Sequence, residues 1–223
     1  MRILYDRFMR DVRSKLGSEP AFTFRGKEYK YFYTVYGNGY ETERVIEIPI
    51  AWKFVKDNWD KNILEVGNVL HHHFTDFPFN YDVVDKYEEF KGVINQDICN
   101  FNPEKKYDVI LCISTLEHVG LDSGEEKSDI EPHKALRAIN NMVSMLTKNG
   151  VIFVTIPMGY NKHLDQLLHS EQIKFTERYC MRKTSNYNTW EECNWNDIKD
   201  SKQGTPFRFT NGLLIGVIRN YEG

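Results

Sequence analysis

The chain has 223 residues, 41% of them hydrophobic and 27% charged, which is typical of a globular protein with one sizeable α/β core. Its 29 basic and 32 acidic side chains give a net charge of -3, so neither nucleic acid nor an anionic membrane is expected to attract the chain as a whole. The sequence has no long uncharged apolar stretch and no signal-peptide core, and its four cysteines form no CxxC pair. We therefore predict a cytoplasmic protein with reduced thiols.

The first 60 residues combine a helical pattern with an aromatic-rich segment. Apolar residues recur at near-helical spacing over 2–16, which predicts a short amphipathic helix. Residues 21–47 carry many aromatic side chains and a GNG turn, which favours short strands with tight turns. This segment is predicted to be either a lid over an acceptor or a packed structural cover. Pro49 is predicted to open an apolar helix, because its ring presets the backbone of a first helical turn.

Farther along the chain, short apolar segments alternate with amphipathic ones, which indicates an α/β fold whose mostly parallel sheet is covered on both faces. The predicted strands of this part cover residues 62–66, 81–85, 92–98, 107–113 and 150–156. The helix before the last strand is predicted to end at 149–150, an Asn-Gly pair that tolerates left-handed backbone. Residues 175–182 and 213–219 favour a further antiparallel pair of strands, and the polar stretch 184–211 favours a loop.

Polar residues follow the ends of four successive predicted strands. The first ends in Glu65-Val66-Gly67-Asn68, Asp85 ends the second, Asp97 lies at the third, and 114–118 follow the fourth. Ligands of open parallel sheets bind at this edge, where a carboxylate can accept a ribose diol and glycine lets the backbone approach closely. Taken singly, each residue is equally explained by a turn or a helix cap, but their order together favours a nucleotide-type ligand.

The order and spacing of these segments resemble a known enzyme family. The strings ILEVGN, VVDKYE, QDICNF, YDVILCISTLEHVG and LTKNGVIFVTIP look like the successive motifs of class I S-adenosylmethionine-dependent methyltransferases over about residues 60–157. The resemblance implies a three-layer Rossmann-like sandwich, with a mostly parallel seven-stranded sheet and an antiparallel terminal strand. A shorter string, ERVIEIPIAW, resembles the lead-in of a subgroup associated with glycan or cell-surface biosynthesis.

The resemblance also implies S-adenosylmethionine as the cofactor and assigns residues to it. Glu65 and Gly67 match the positions beside its amino-acid moiety, Asp85 matches the ribose-binding acid, and Asp97 and Ile98 match the positions beside adenine. The loop after the fourth strand would face the sulfonium and the acceptor. The cofactor-binding set implied in this way is Glu65, Gly67, Asn68, Asp85, Lys86, Asp97, Ile98, Ser114 and Leu116.

Glu117 and His118 are the candidate catalytic residues. An imidazole titrates near neutral pH and suits removal of a proton from an acceptor, although His118 is also explained as a packing or capping residue. No Asn/Asp-Pro-Pro-aromatic motif and no Pro-Cys follow the fourth predicted strand, which disfavours a nucleic-acid acceptor. We therefore predict methyl transfer to a hydroxyl, amine or carboxyl group of a small molecule or sugar.

Two other classes of function stay open. The family's usual loop has further glycines where this chain has Val69 and His71, which favours a non-catalytic binding module on the same fold. A nicotinamide-dependent oxidoreductase or epimerase is disfavoured, because an acid and a lone glycine replace its GxGxxG loop. The consecutive histidines 71–73 do not share one helical face, so no metal site is predicted there.

We predict one methyltransferase domain over 1–223, with three parts. Residues 1–60 form an N-terminal helix and an aromatic cover or lid. Residues 61–160 form the cofactor-binding core. Residues 161–223 supply C-terminal strands and loops on the acceptor side.

Overall fold

The computed structural model describes residues 20–34, 36–121 and 131–221, so the helix predicted over 2–16 lies outside the described residues. The strands are β1 (Ala21–Phe24), β2 (Lys27–Lys30), β3 (Ile63–Val66), β4 (Asp82–Asp85), β5 (Val93–Asn95), β6 (Tyr107–Ile113), β7 (Leu146–Pro157), β8 (Glu177–Lys183), β9 (Trp190–Cys193) and β10 (Gly212–Arg219). The helices are α1 (Arg44–Asp57), α2 (Leu70–His73), α3 (Lys134–Ser144), α4 (Lys162–His169) and α5 (Trp195–Ile198). None of these helices is long and apolar enough to cross a membrane.

An eight-stranded sheet in the order β5-β4-β3-β6-β7-β10-β8-β9 forms the centre of the fold. The pairs among β3, β4, β5, β6 and β7 are parallel, and β10 lies antiparallel between β7 and β8. The mostly parallel sheet with its antiparallel last strand confirms the predicted fold class. The predicted number of seven strands is wrong, because β9 adds an eighth at the edge, antiparallel to β8.

Successive residues of the central strands enter two different hydrophobic cores. Leu64 and Ile110 belong to the core that α3, α4 and α5 cover, whereas Ile63 and Leu111 belong to the core beneath α1 and the β1–β2 hairpin. Both faces of the sheet are therefore buried, which explains why these strands are continuous apolar segments in the sequence. The result is the predicted three-layer sandwich.

Helix α1 begins at Arg44, so Pro49 lies inside it, and the prediction that Pro49 opens the helix is wrong. A proline inside a helix leaves the carbonyl four residues earlier without its usual donor. Here that carbonyl belongs to Val45, and it accepts the backbone N–H of Phe32 at 2.9 Å. Because the preceding segment supplies the missing hydrogen bond, the helix can start before the proline.

The helix before β7 is shorter than predicted. Helix α3 ends at Ser144 and not at 149–150. The backbone N–H of Tyr107 donates to the carbonyl of Met145 at 2.9 Å, which draws the chain into the sheet directly after the helix. Asn149 does adopt a left-handed φ of 63°, but at an irregular point of β7.

The stretch 184–211 is not only loop, because it contains β9 and α5. A capping box begins α5: Asn194 accepts a backbone N–H with its side chain, and Asp197 accepts the N–H of Asn194. Helix α4 has no counterpart among the predicted elements, although Asn161 caps it by accepting two backbone N–H groups. Polar capping residues made both helices look like loop in the sequence.

Candidate functional site

A cavity of about 240 Å³ opens at the carboxyl edge of the parallel strands, between the loops that follow β3, β4, β5 and β6. This is the edge at which open parallel sheets bind ligands. Its wall brings together the predicted residues Gly67, Asp85, Lys86, Asp97, Ile98 and His118. The other predicted residues lie buried behind the wall: Glu65, Asn68, Ser114, Leu116 and Glu117.

Gly67 forms the tightest part of the cavity wall. Its φ of +83° is left-handed, and its N–H donates to the carbonyl of Val84 at 2.8 Å. A Cβ atom at this position would lie 2.2 Å from Oγ1 of Thr115. Only glycine combines this backbone conformation with so close an approach of the loop that follows β6.

Glu65 lies fully buried beneath the loop that contains Gly67, and not in the cavity wall. Its Oε1 accepts the backbone N–H groups of Val69 and Leu70, at 3.0 and 2.8 Å, and its Oε2 accepts the hydroxyl of Tyr81 at 2.9 Å. Burial raises the pKa of Glu65 to about 7, and these hydrogen bonds oppose the rise. In the structure, Glu65 holds the loop in shape from below.

Asp85 ends β4 with one carboxylate oxygen occupied and the other largely free. Oδ1 accepts the N–H groups of Tyr87 and Glu88, both at 2.9 Å. Oδ2 faces only the N–H of Asn68, at 3.4 Å, among the described residues. The hydrogen bonds to Oδ1 fix the carboxylate in the wall, so Oδ2 can accept hydrogen bonds from a ligand.

The loop that follows β3 has no glycine after Gly67, and polar contacts hold it in place. Asn68 donates to Oε1 of Glu88 at 2.7 Å and faces Nδ1 of His71 at 2.8 Å, and His72 contacts the same Glu88 oxygen at 2.8 Å. Val69 has φ -95° and ψ -52°, an ordinary right-handed conformation. A β-branched residue therefore fits here without backbone strain, and this loop does not need the family's second glycine.

Asp97 is fixed by a lysine that the sequence predictions missed. Its Oδ1 accepts the N–H of Cys99 at 2.9 Å, and its Oδ2 lies 3.1 Å from Nζ of the buried Lys134 and 3.9 Å from Nζ of Lys86. Burial alone would raise the pKa of Asp97, but the Cys99 and Lys134 contacts hold it below its usual value. Ile98 adds an apolar surface beside this charged group.

Ser114 and Leu116 serve the interior rather than the cavity. The Ser114 hydroxyl donates to Oε1 of Glu47, and its backbone N–H donates to Oγ1 of Thr155 at 3.0 Å. Leu116 is fully buried in the core covered by α3. Both roles predicted for these residues in cofactor binding stay predictions.

Four charged residues meet behind the cavity and are here named the buried carboxylate cluster: Glu43, Arg44, Glu47 and Glu117. Arg44 donates to Oε2 of Glu47 at 3.1 Å. Glu117 is 2% exposed, and no described residue offers a hydrogen-bond partner to its Oε2. Burial is the main reason that the pKa values of Glu47 and Glu117 are raised, and Arg44 opposes the rise in both.

His118 connects the buried carboxylate cluster to the cavity. Its ring lines the cavity, its Nε2 lies 3.8 Å from Oε1 of Glu117, and it packs edge-on against Tyr160 at 4.8 Å. Desolvation and the nearby Arg44 lower the pKa of His118. The imidazole is therefore neutral near pH 7 and able to accept a proton.

Lys134 and the three cluster members at the start of α1 or just before it were not predicted from the sequence as site residues. A signal exists for the latter, because Glu43, Arg44 and Glu47 interrupt an otherwise apolar helix in the string ERVIEIPIAW. Charged residues on a helix that is hydrophobic all round must be buried, and buried charges are usually paired or functional. Lys134 has no comparable signal, since it looks like an ordinary surface lysine at a helix start.

No family model matches the chain, and no curated protein matches it. Among solved structures, it is similar to the N-methyltransferase NodS from Bradyrhizobium japonicum WM9 in complex with S-adenosyl-L-homocysteine, with 14% identity, coverage of 81% of this chain and 92% of that chain, and a TM-score of 0.48. An rRNA methylase from Streptococcus thermophilus has 13% identity, covers 78% and 96% of the two chains, and has a TM-score of 0.45.

The methyltransferase CalS10 from Micromonospora echinaspora, described as acting on an amino pentose and bound to S-adenosylmethionine, has 16% identity, 48% coverage of each chain and a TM-score of 0.34. Identities this low leave the assignment of a function to the residues of the site itself.

Proposed function

We propose that this chain is an S-adenosylmethionine-dependent methyltransferase whose acceptor is a small molecule or a sugar. The observation that carries the proposal is the cavity at the carboxyl edge, whose wall contains Gly67, Asp85, Asp97 and His118. The buried carboxylate cluster directly behind His118 adds acid/base groups at that wall. A cofactor-sized cavity with acid/base groups beside it is what a transfer reaction needs.

The residues of the cavity fit the cofactor's parts. The free Oδ2 of Asp85 can accept the ribose hydroxyls, and Ile98 and Val84 offer apolar surface for adenine. Gly67 lets the loops that follow β3 and β6 approach each other at the cavity wall, since any Cβ there would collide with Thr115. Glu65 acts through the loop that it holds rather than by direct contact, because its two carboxylate oxygens are bonded to Val69, Leu70 and Tyr81.

When bound, S-adenosylmethionine supplies an already activated methyl group. The protein's part is to align the acceptor, to exclude water and to take up a proton. Neutral His118 at the cavity wall and Glu117 behind it are the groups that hold this proton, at Nε2 and Oε2 respectively. A strict catalytic triad is not required for this chemistry.

A non-catalytic binding module on the same fold is the alternative. Its main support in the sequence is the pair Val69 and His71 at glycine positions. The unstrained backbone of Val69 weakens that support. A polar oxygen left without a partner at Glu117 also favours an active compartment, since burying such a group unsatisfied costs about 1–3 kcal/mol.

Titration calorimetry with S-adenosylmethionine and S-adenosylhomocysteine tests the proposal. We expect micromolar binding of both, and a 10-fold or greater loss in Asp85→Ala, because charge-assisted hydrogen bonds contribute about 1.5–3 kcal/mol. Asp60→Ala is the matched control, since Asp60 is an exposed acid in the turn before β3. Absence of heat up to about millimolar ligand would mean a binding free energy weaker than about -4 kcal/mol, and it would support the binding module instead.

A further inference from the structure

The buried carboxylate cluster contains more acidic than basic groups. Three carboxyl groups, those of Glu43, Glu47 and Glu117, accompany one guanidinium, that of Arg44. Glu47 takes the hydrogen bonds of both Arg44 and Ser114. The pairing inside the cluster therefore satisfies Glu47 and provides no donor to Oε2 of Glu117.

The unpaired oxygen of Glu117 indicates that a hydrogen-bond partner, such as a ligand, is missing. Among the described residues it has no hydrogen-bond partner, and the imidazole of His118 stays at 3.8 Å from the other oxygen, too far for a hydrogen bond. Buried polar atoms in proteins are nearly always paired, so an unpaired one is a sign of a missing partner. Its chain neighbours Thr115, His118 and Val119 line the cavity, so Glu117 lies directly beneath the cavity wall.

From this surplus of carboxyl groups and the unpaired oxygen, we infer that the acceptor group is an amine, which enters as an ammonium ion and donates to Oε2 of Glu117. The inference rests on the proposed function and names its substrate class. An alcohol would need to become alkoxide-like before it attacks a methyl group, and neighbouring carboxylates disfavour a second negative charge. An ammonium ion is attracted by the same carboxylates, and its neutral form is nucleophilic without further ionisation.

The proton and the bonds balance in this scheme. The ammonium ion passes one proton to the Glu117 carboxylate at Oε2, which leaves a neutral amine and a carboxylic acid. The bond from nitrogen to the methyl carbon forms as the bond from sulfur to that carbon breaks. The positive charge moves from sulfur to nitrogen, and the sulfonium becomes a thioether.

The groups around Glu117 favour its role as a proton holder. The first turns of α1 present Glu43, Arg44 and Glu47, and burial together with Glu47 keeps the pKa of Glu117 high. From the other packed elements, the charged or titratable groups that face it are His118, Tyr160 of the loop after β7 and Cys112 of β6. A carboxyl group with a raised pKa binds the proton of an amine more firmly than an exposed one does.

Ligand-observed NMR on the whole chain, saturated with S-adenosylhomocysteine, tests the substrate class without the transfer reaction. The probes are primary amines, each paired with the alcohol of the same skeleton, among them glucosamine with glucose and benzylamine with benzyl alcohol. We expect amines to bind at least 10-fold more tightly than their partners. Glu117→Gln should abolish this preference, whereas the matched control Glu177→Gln, at the opposite edge of the sheet, should keep it.

Each outcome decides the matter. Equal or tighter binding of the alcohols, no amine binding, or a preference that survives in Glu117→Gln would each overturn the amine assignment. Titration of S-adenosylhomocysteine on the same samples reports separately on the proposed function and on the folding of the variants. Cofactor binding without amine preference removes only the acceptor class, whereas absence of cofactor binding removes the proposed methyltransferase.

Discussion

The loops that follow β3 and β6 meet so closely at Gly67 that there is no space for a methyl group there. Another left-handed glycine, Gly92, has that space. Gly92 has a comparable φ of +92°, yet no described atom lies within 4 Å of a Cβ placed there. We expect Gly92→Ala to lower the free energy of unfolding by about 1–2 kcal/mol, from backbone strain alone. Gly67→Ala should lose a further 1–3 kcal/mol or so, because its Cβ collides with Thr115.

Urea unfolding of the two variants measures this difference, and S-adenosylhomocysteine binding should fall only in Gly67→Ala. Equal stability losses in both variants would show that Thr115 moves aside without cost. In that case the close approach of the two loops would not be what requires glycine.

The buried Glu65 predicts a pH dependence of stability. Its pKa is raised from 4.5 to about 7, so the folded chain holds this proton more tightly than the unfolded chain does. The stability that it contributes is complete below pH 4.5 and is lost as the pH rises through 7. Relative to Glu65→Gln, the free energy of unfolding of the natural chain should therefore fall by about 3 kcal/mol between these limits.

Chemical unfolding of both proteins at several pH values between 4.5 and 8 gives the comparison. Glu177→Gln is the control with a flat difference over this range, because the hydroxyl of Tyr179 and then Arg219 lower the pKa of Glu177. The stability contributed by Glu177 is lost only as the pH falls below 4.5. A flat difference between the natural chain and Glu65→Gln would mean that Glu65 stays ionised in the folded state.

At the scale of single residues, the sequence predicts positions better than roles. Asp85, Asp97 and Gly67 lie in the cavity wall as their places at strand ends indicate. The contacts of Glu65 and Ser114 with other buried groups depend on residues far away in the chain, such as Tyr81 and Glu47. No local pattern contains such contacts, so these partners could not be predicted.

At the scale of elements, the parallel core could be predicted and the flanking elements could not. Strand β6 has the predicted bounds, because six of its seven residues are buried between two covered faces and contribute to the apolar signal, all but Asp108. The short β9 and α5 each have polar residues at half of their four positions, and their pairing and capping bonds replace hydrophobic periodicity. Local composition therefore favours loop wherever hydrogen bonds rather than buried area define an element.

Helix α1 shows how one element depends on another for its start. Its first turn carries Glu47, and Glu43 directly precedes the helix. The position of this turn therefore determines where the buried carboxylate cluster lies. The carbonyl that Pro49 leaves free is bonded by Phe32 and not by solvent. Sequence rules that place proline at a helix start describe the isolated helix, and here a tertiary hydrogen bond overrides them.

At the scale of the whole molecule, the segment before α1 is bonded to the far end of the sheet. The backbone N–H of Arg25 donates to Glu192 of β9, and the hydroxyl of Tyr31 accepts the N–H of Trp190. Lys183 of β8 donates to the carbonyl of Glu41 at 2.8 Å. Strands at the edge farthest from β5 therefore help to fix the start of α1, and with it the buried carboxylate cluster.

Asn188 concentrates this coupling in one buried side chain. Its Nδ2 donates to the carbonyls of Tyr40 and Thr42, at 3.2 and 2.8 Å, and its Oδ1 accepts the indole N–H of Trp190 at 2.7 Å. Its φ of +58° is left-handed, so Asn188→Gly removes the three hydrogen bonds without backbone strain. We expect the loss of these three hydrogen bonds to lower the free energy of unfolding by about 2–4 kcal/mol.

Because Asn188 joins residues 40–42 to the sheet, the whole chain should still unfold in a single transition when it is replaced, at a lower temperature. Thermal unfolding followed by both tryptophan fluorescence and far-UV circular dichroism measures this. Asn38→Gly is the matched control, since Asn38 is also left-handed, with a φ of 54°, but exposed. A separate early transition in Asn188→Gly, with the main one unchanged, would show that the segment before α1 folds independently of the sheet and does not depend on it for its position.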